Sequence, residues 1–105
     1  MLRVVVEDLG HRVILHCDGR IVAGEETSIL CAAVARHGRA IAIDLSGVTA
    51  IDAAGIGALV ALQAAGVYLT LVNPTESVRR VLDVTGMNSV FEIAPAEAAL
   101  IPSAA

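Results

Sequence analysis

Two runs rich in Val, Ile and Leu, Leu2 to Glu7 and Arg12 to Asp18, flank the short connection Asp8-Leu9-Gly10-His11. That spacing predicts an antiparallel hairpin. Beyond Gly19-Arg20-Ile21-Val22 the period changes, and Ile29, Leu30, Ala33 and Val34 form one apolar stripe at helical spacing. Glu25 and Glu26 fall in the first turn of this predicted helix and Arg36 and His37 in the last, the charge order that a helix dipole favours. Gly38 is placed as its C-terminal cap. Ala40 to Leu45 is apolar on both faces until Asp44, the pattern of a central strand in a parallel sheet.

A loop is predicted from Ser46 to Ala54, then a short helix from Gly55 to Ala65 and a continuous apolar strand from Val67 to Val72. Asn73-Pro74-Thr75-Glu76 predicts the start of another helix, with Asn73 as cap, Pro74 at the first helical position and Glu76 closing a capping box. Val78, Val81 and Leu82 form its buried stripe and Gly86 stops it. A short strand, Val90 to Ile93, precedes a terminal helix opened by Pro95 and running to about Leu100. Strand-helix-strand connections of this length are right-handed. The expected architecture is therefore α/β: an N-terminal hairpin extending a β-α-β-α-β mixed sheet, with helices packed on it and a short C-terminal helix. No repeat, linker or boundary divides residues 1–105, which are expected to form one domain.

Composition narrows the function. Hydrophobic residues make up 56% of the 105, with one Tyr, one Phe and no Trp, so the core is aliphatic and few platforms exist for base stacking. A net charge of -4, with seven basic residues that are all Arg, leaves no basic stripe for phosphates. Nucleic-acid binding is not expected. Cys17 and Cys31 are too far apart for a CxxC pair, and the opening residues do not read as a signal peptide, which fits a cytoplasmic protein. The uncharged stretch Ala53 to Thr75 is long enough to span a bilayer, but Gly55, Gly57, Gly66, Gln63 and Asn73-Pro74 interrupt it, so membrane insertion is not expected.

The residues that could carry chemistry are Cys17, Cys31, His11, His16, His37, Asp44 and Asp52, and no catalytic or metal-binding set is assembled from them. His16 and Cys17 are neighbours on a strand and point to opposite faces, so they cannot form a nucleophile–base pair. Cys17 and Cys31 read as small core residues, His37 as a dipole partner and His11 as part of a turn. Gly55-Ile56-Gly57 begins like a dinucleotide fingerprint but lacks the third glycine and the distal acid. Its glycines read instead as close packing of a helix start on the sheet. No cofactor is expected.

The string from Asp44 to Leu59, Asp-Leu-Ser-Gly-Val-Thr-Ala-Ile-Asp-Ala-Ala-Gly-Ile-Gly-Ala-Leu, closely resembles the signature of the STAS family. In the anti-sigma factor antagonists of that family an Asp-Ser-[Ser/Ala]-Gly-Leu-Gly motif sits where a loop enters the second helix. Gly19 to Thr27, Leu71 to Met87 and Val90 to Ile93 are similar to a bacterial subgroup of the family, in the family's order, so the resemblance covers nearly the entire chain.

The resemblance implies a non-enzymatic binding protein that works by partner switching. Such an antagonist binds a serine-kinase-type anti-sigma factor, displaces the sigma factor, and is switched off by phosphorylation of the motif serine. At that position this chain carries Ala53, which has no hydroxyl. The implied partner-binding residues are Asp44, Ser46, Gly47, Thr49, Asp52, Ala53, Ala54, Gly55 and Ile56. Asp52 reads from the residues alone as a helix N-cap that could also offer charge to a basic partner; Ser46 and Thr49 read as turn-capping hydroxyls. The second helix looks about one turn shorter than is usual in the family. The chain is expected to be a monomer or weak homodimer. A second reading is an accessory STAS subunit of a lipid-transport ABC system; a nucleotide sensor is a third, lacking a phosphate loop.

Overall fold

A computed structural model describes residues 2–10, 12–22, 24–37 and 40–95. The hairpin forms as expected. β1 (Leu2–Asp8) pairs antiparallel with β2 (Val13–Ile21) in unbroken register from Leu2↔Gly19 to Asp8↔Val13. The turn is fixed by Asp8, whose carboxylate accepts the Gly10 amide at 2.8 Å while Gly10 takes φ +83°. Then follow α1 (Glu25–His37), β3 (Ile41–Ile51), α2 (Ala53–Ala64), β4 (Leu69–Val72), α3 (Glu76–Thr85), a short 3-10 turn Met87–Ser89, and β5 (Glu92–Ala94).

The sheet order is β1-β2-β3-β4-β5, identical to the chain order, and every pairing after the hairpin is parallel. Each helical crossover therefore steps one strand in the same direction, and connections of one hand place all three helices on one face of the sheet. The core bears this out. Leu30 and Val34 of α1, Ile56 and Leu59 of α2, and Val78 and Leu82 of α3 share one cluster with Val13, Leu15, Cys17, Ile41, Ile43, Leu45, Leu69 and Leu71 of the strands. Ile29, expected in that stripe, lies on the exposed side of α1.

Several boundaries differ from the expected ones: α2 begins at Ala53 rather than Gly55, β4 begins at Leu69 rather than Val67, and the last strand is Glu92–Ala94 rather than Val90 to Ile93. Ser46 to Ile51 continues β3 instead of forming a loop, because β2 also runs on to Ile21 and holds Gly47, Val48, Ala50 and Ile51 in register with Asp18 to Ile21. Two register shifts in that pairing break the simple alternation that marks a strand, while burying Val48 and Ile51. The cap of α3 is Thr75, not Asn73, so Pro74 precedes the helix and Glu76 is its first residue rather than the third position that a capping box requires. The Thr75 hydroxyl accepts the Val78 amide at 3.4 Å and donates to the Val48 carbonyl at 2.7 Å. Asn73 instead turns the chain at φ 49°, its amide bonded to the Ala94 carbonyl. Gly86 ends α3 in the left-handed region, as expected. The uncharged stretch from Ala53 to Thr75 is divided between α2, a turn and β4, and no described helix is long and apolar enough to cross a membrane. The expected cap at Gly38 and the terminal helix beyond Pro95 lie outside the described residues.

Candidate functional site

The segment singled out by the sequence is the junction where β3 runs into α2, and its geometry is set by three backbone-level constraints. Asp52 takes an extended conformation (φ -114°, ψ -177°), and its carboxylate accepts the Gly55 amide at 2.8 Å, so it is the N-cap of α2. Its own amide donates to the Ile21 carbonyl at 3.3 Å, tying the cap to the end of β2. Gly55 completes the junction: a Cβ there would stand 2.3 Å from the Ile21 carbonyl oxygen and 2.8 Å from Ile51, so only glycine lets the helix approach the sheet this closely. Gly47 is similar, with Cys17 and Asp18 at 2.9–3.0 Å from a Cβ. Gly57 has open space around it, so the close packing expected of both glycines belongs to Gly55 alone.

These constraints sort the expected partner-binding residues into two groups. Ala53 and Ala54 form an exposed first turn of α2 beside the half-buried Asp52, and Ser46 and Thr49 are exposed on β3. The Thr49 hydroxyl donates to the Gly19 carbonyl at 3.2 Å, which fits its reading as a residue that satisfies backbone. Gly55 and Ile56 are buried, Ile56 in the main core, so neither side offers a surface to a partner; helix periodicity turns them inward as soon as Ala53 and Ala54 face out. Asp44 lies seven residues of strand before Ile51, on the sheet face away from the helices, and is not brought together with Asp52.

Asp44 instead joins a cluster that the sequence did not reveal. His16 on β2 lies between two carboxylates, Nδ1 at 2.8 Å from Asp44 on β3 and Nε2 at 2.8 Å from Glu7 on β1. The hydrogen bond to Glu7, then that to Asp44, raise the His16 pKa above its usual 6.5, against a small opposing effect of burial. Partial burial pushes Asp44 upward, but the Ser46 amide at 3.0 Å, His16 and the Ser46 side chain outweigh it and hold its carboxyl below the usual 3.8. Both imidazole nitrogens are taken by carboxylates, so neither is left to act as a base toward a third group. The signal that could have found this cluster is the parallel register His16↔Asp44, which exists only once β2 and β3 are known to be neighbours.

The cysteines are free. Cys17 faces the helices, opposite to His16 as strand alternation requires, and burial together with the Asp44 charge pushes its thiol up to about 12, which leaves it unreactive. His11, and the side chain of His37, lie outside what the structure describes.

Comparison with known proteins places this geometry. The STAS domain family model matches residues 3–100. Among solved structures, the chain is similar to an anti-sigma factor antagonist from Mycobacterium paratuberculosis (TM-score 0.77, 22% identity, covering 95% of this chain and 92% of that one). It is also similar to the anti-sigma factor antagonist SpoIIAA in its unphosphorylated form (TM-score 0.72, 18% identity, 93% of each chain). A third likeness is to a candidate anti-sigma factor antagonist from Thermotoga maritima (TM-score 0.73, 24% identity, 87% of this chain and 85% of that one). No curated protein matches it in sequence. With the family matched over nearly its whole length and the fold shared with these structures, the chain belongs to the STAS domain family.

Proposed function

We propose that this protein is an anti-sigma factor antagonist: it binds a serine-kinase-type anti-sigma factor in the cytoplasm and thereby releases a sigma factor. The observation that carries the reading is the exposed first turn of α2, Ala53-Ala54, beside the Asp52 cap, on a fold shared along nearly all of its length with anti-sigma factor antagonists. The docking surface is Asp52, Ala53 and Ala54 with the exposed Thr49 near the end of the strand before them, Ser46 lying back beside Asp44, and binding alone, with no chemistry on a substrate, accounts for the function.

Ala53 stands where the resemblance puts the phosphorylated serine. A phosphate there would bring roughly -1.5 to -2 charges beside Asp52 in the middle of the docking surface, enough to repel a partner without unfolding the helix. A methyl group cannot take it, so the protein stays competent to bind.

Purified protein titrated against each kinase-type anti-sigma factor of its organism, with and without ATP, tests both parts. One of them binds at micromolar affinity or better, and no phosphate is incorporated. Ala53→Ser then becomes a substrate, and its phosphorylated form binds at least about 100-fold more weakly. Asp52→Asn keeps the cap and removes the charge, and weakens binding. Failure to bind any such anti-sigma factor, or phosphate on the native protein at this junction, overturns the proposal.

A further inference from the structure

The outer edge of the sheet carries apolar surface that neither the core nor the α2 junction uses. β1 pairs with β2 along one side, and among the described residues nothing pairs with its other side. Val5 and Val6 are 54% and 43% exposed although they are successive and so lie on opposite faces of the sheet. Val5 lies on the face that no helix covers, and Val6 lies on the helix side, where its exposure places it at the open margin of the core. Open edges are normally blunted by proline, a bulge or an internal lysine. β1 has none of these: its register with β2 is unbroken for all seven residues, its centre is Val4-Val5-Val6, and its charges stand at Arg3, Glu7 and Asp8.

Those charges select one occupant. Two copies of a strand that pair antiparallel about a two-fold axis normal to the sheet keep their faces matched only when the axis passes beside a residue. Centred on Val4, Arg3 opposes Val5; centred on Val6, Glu7 opposes Val5 and Asp8 opposes Val4. Centred on Val5, Arg3 opposes Glu7 of the second copy, Val4 opposes Val6 and Val5 opposes itself, with Asp8 against Leu2 only at the two ends of the paired segment. By symmetry that register makes the Arg–Glu pair twice, on the face where Glu7 already lies against His16. His16 holds one oxygen of the Glu7 carboxylate, which orders the side chain and leaves its other oxygen to receive the second copy's Arg3. Among the described residues Arg3 makes no ion pair.

We propose that β1 is a self-complementary edge through which two copies of this chain join antiparallel at Val5, running two sheets into one. The interface is small beside the roughly 1,200–2,000 Å² of a stable complex, so the dimer forms in a concentration-dependent way and dissociates on dilution.

Sedimentation velocity of the full chain, from micromolar to millimolar concentration, tests this, with circular dichroism checking that each variant is folded. The native chain dimerises as concentration rises. Arg3→Glu, which sets like charges against each other twice, weakens the dimer at least about 10-fold. Val5→Lys, which puts two ammonium groups on the axis, abolishes it. Glu7→Arg weakens it as well, but an equal mixture of the Arg3→Glu and Glu7→Arg chains pairs more tightly than either alone, because every cross-strand pair is again Arg with Glu. A native chain that stays monomeric at millimolar concentration overturns the proposal. So does a dimer indifferent to Arg3→Glu and Val5→Lys, which would use another surface or leave the edge to a segment of another protein. A mixture no better than its components overturns it too.

Discussion

The two faces of the sheet are made from the same strands, residue by residue in alternation, yet they do different work. The face toward the helices is one hydrophobic cluster, aliphatic but for Phe91 and Cys17, drawn from all three helices and from every strand through β4. The opposite face has a small apolar set, Ile14, Ala42 and Val72, next to the Glu7–His16–Asp44 line and the Tyr68 hydroxyl bonded to Glu92 at 2.6 Å. Burial stabilises the first face in proportion to area and without regard to direction. The second face orders side chains through directional bonds in half-solvated surroundings, where ion pairs contribute little net energy. One face holds the fold, and the other sets where its polar groups stand.

Substitutions on each face sharpen that contrast. Leu71→Ala, which opens a void in the helix-facing core, lowers stability by about 2–5 kcal/mol in chemical denaturation. A loss below about 1 kcal/mol would mean that the two faces are not so different. Gly55→Ala comes next. Its Cβ meets backbone at the Ile21 carbonyl rather than a flexible side-chain end, so α2 must shift away from the sheet, with a loss of about 1–3 kcal/mol in chemical denaturation.

The smallest effect is the pH dependence of the polar face. Because the His16 pKa is raised on folding, its contribution is complete below 6.5 and is lost as the pH rises through the raised value. Asp44 has the opposite sign: its contribution is present above 3.8 and is lost as the pH falls through its lowered value. Stability therefore declines slightly on the alkaline side of 6.5, by less than about 1 kcal/mol given the exposure of these groups. His16→Gln removes that decline, and Glu7→Gln brings the imidazole titration seen by NMR back toward 6.5. An imidazole that titrates at its ordinary value in the native protein would break the description of this face.

Much of the helix-facing side was legible in the sequence, because burial leaves a periodic trace: Ile41 to Leu45, Leu69 to Val72 and the Val78–Leu82 stripe fall in the elements expected of them, while Ala40, Val67 and the exposed Tyr68 stand just ahead of their strands. The Asp52 cap was legible for the same reason, since a carboxylate just before a helix has one dominant use. Ser46 to Ile51 was misread as a loop because Ser, Gly and Thr carry turn signals, while what makes the segment a strand is its irregular pairing with Asp18 to Ile21 across the sheet. Thr75 displaced Asn73 as cap because its hydroxyl serves the helix and the Val48 carbonyl together, a benefit invisible without the fold. The Glu7–His16–Asp44 cluster joins three strands, and no local pattern records which strands become neighbours.

The match between strand order and chain order has a consequence for how the molecule is made. As the polypeptide leaves the ribosome, each new strand docks beside the one before it, and none has to be threaded between strands already in place. The hairpin closes locally, and each later strand reaches its partner across a single helical crossover, so no pairing spans more than one such unit.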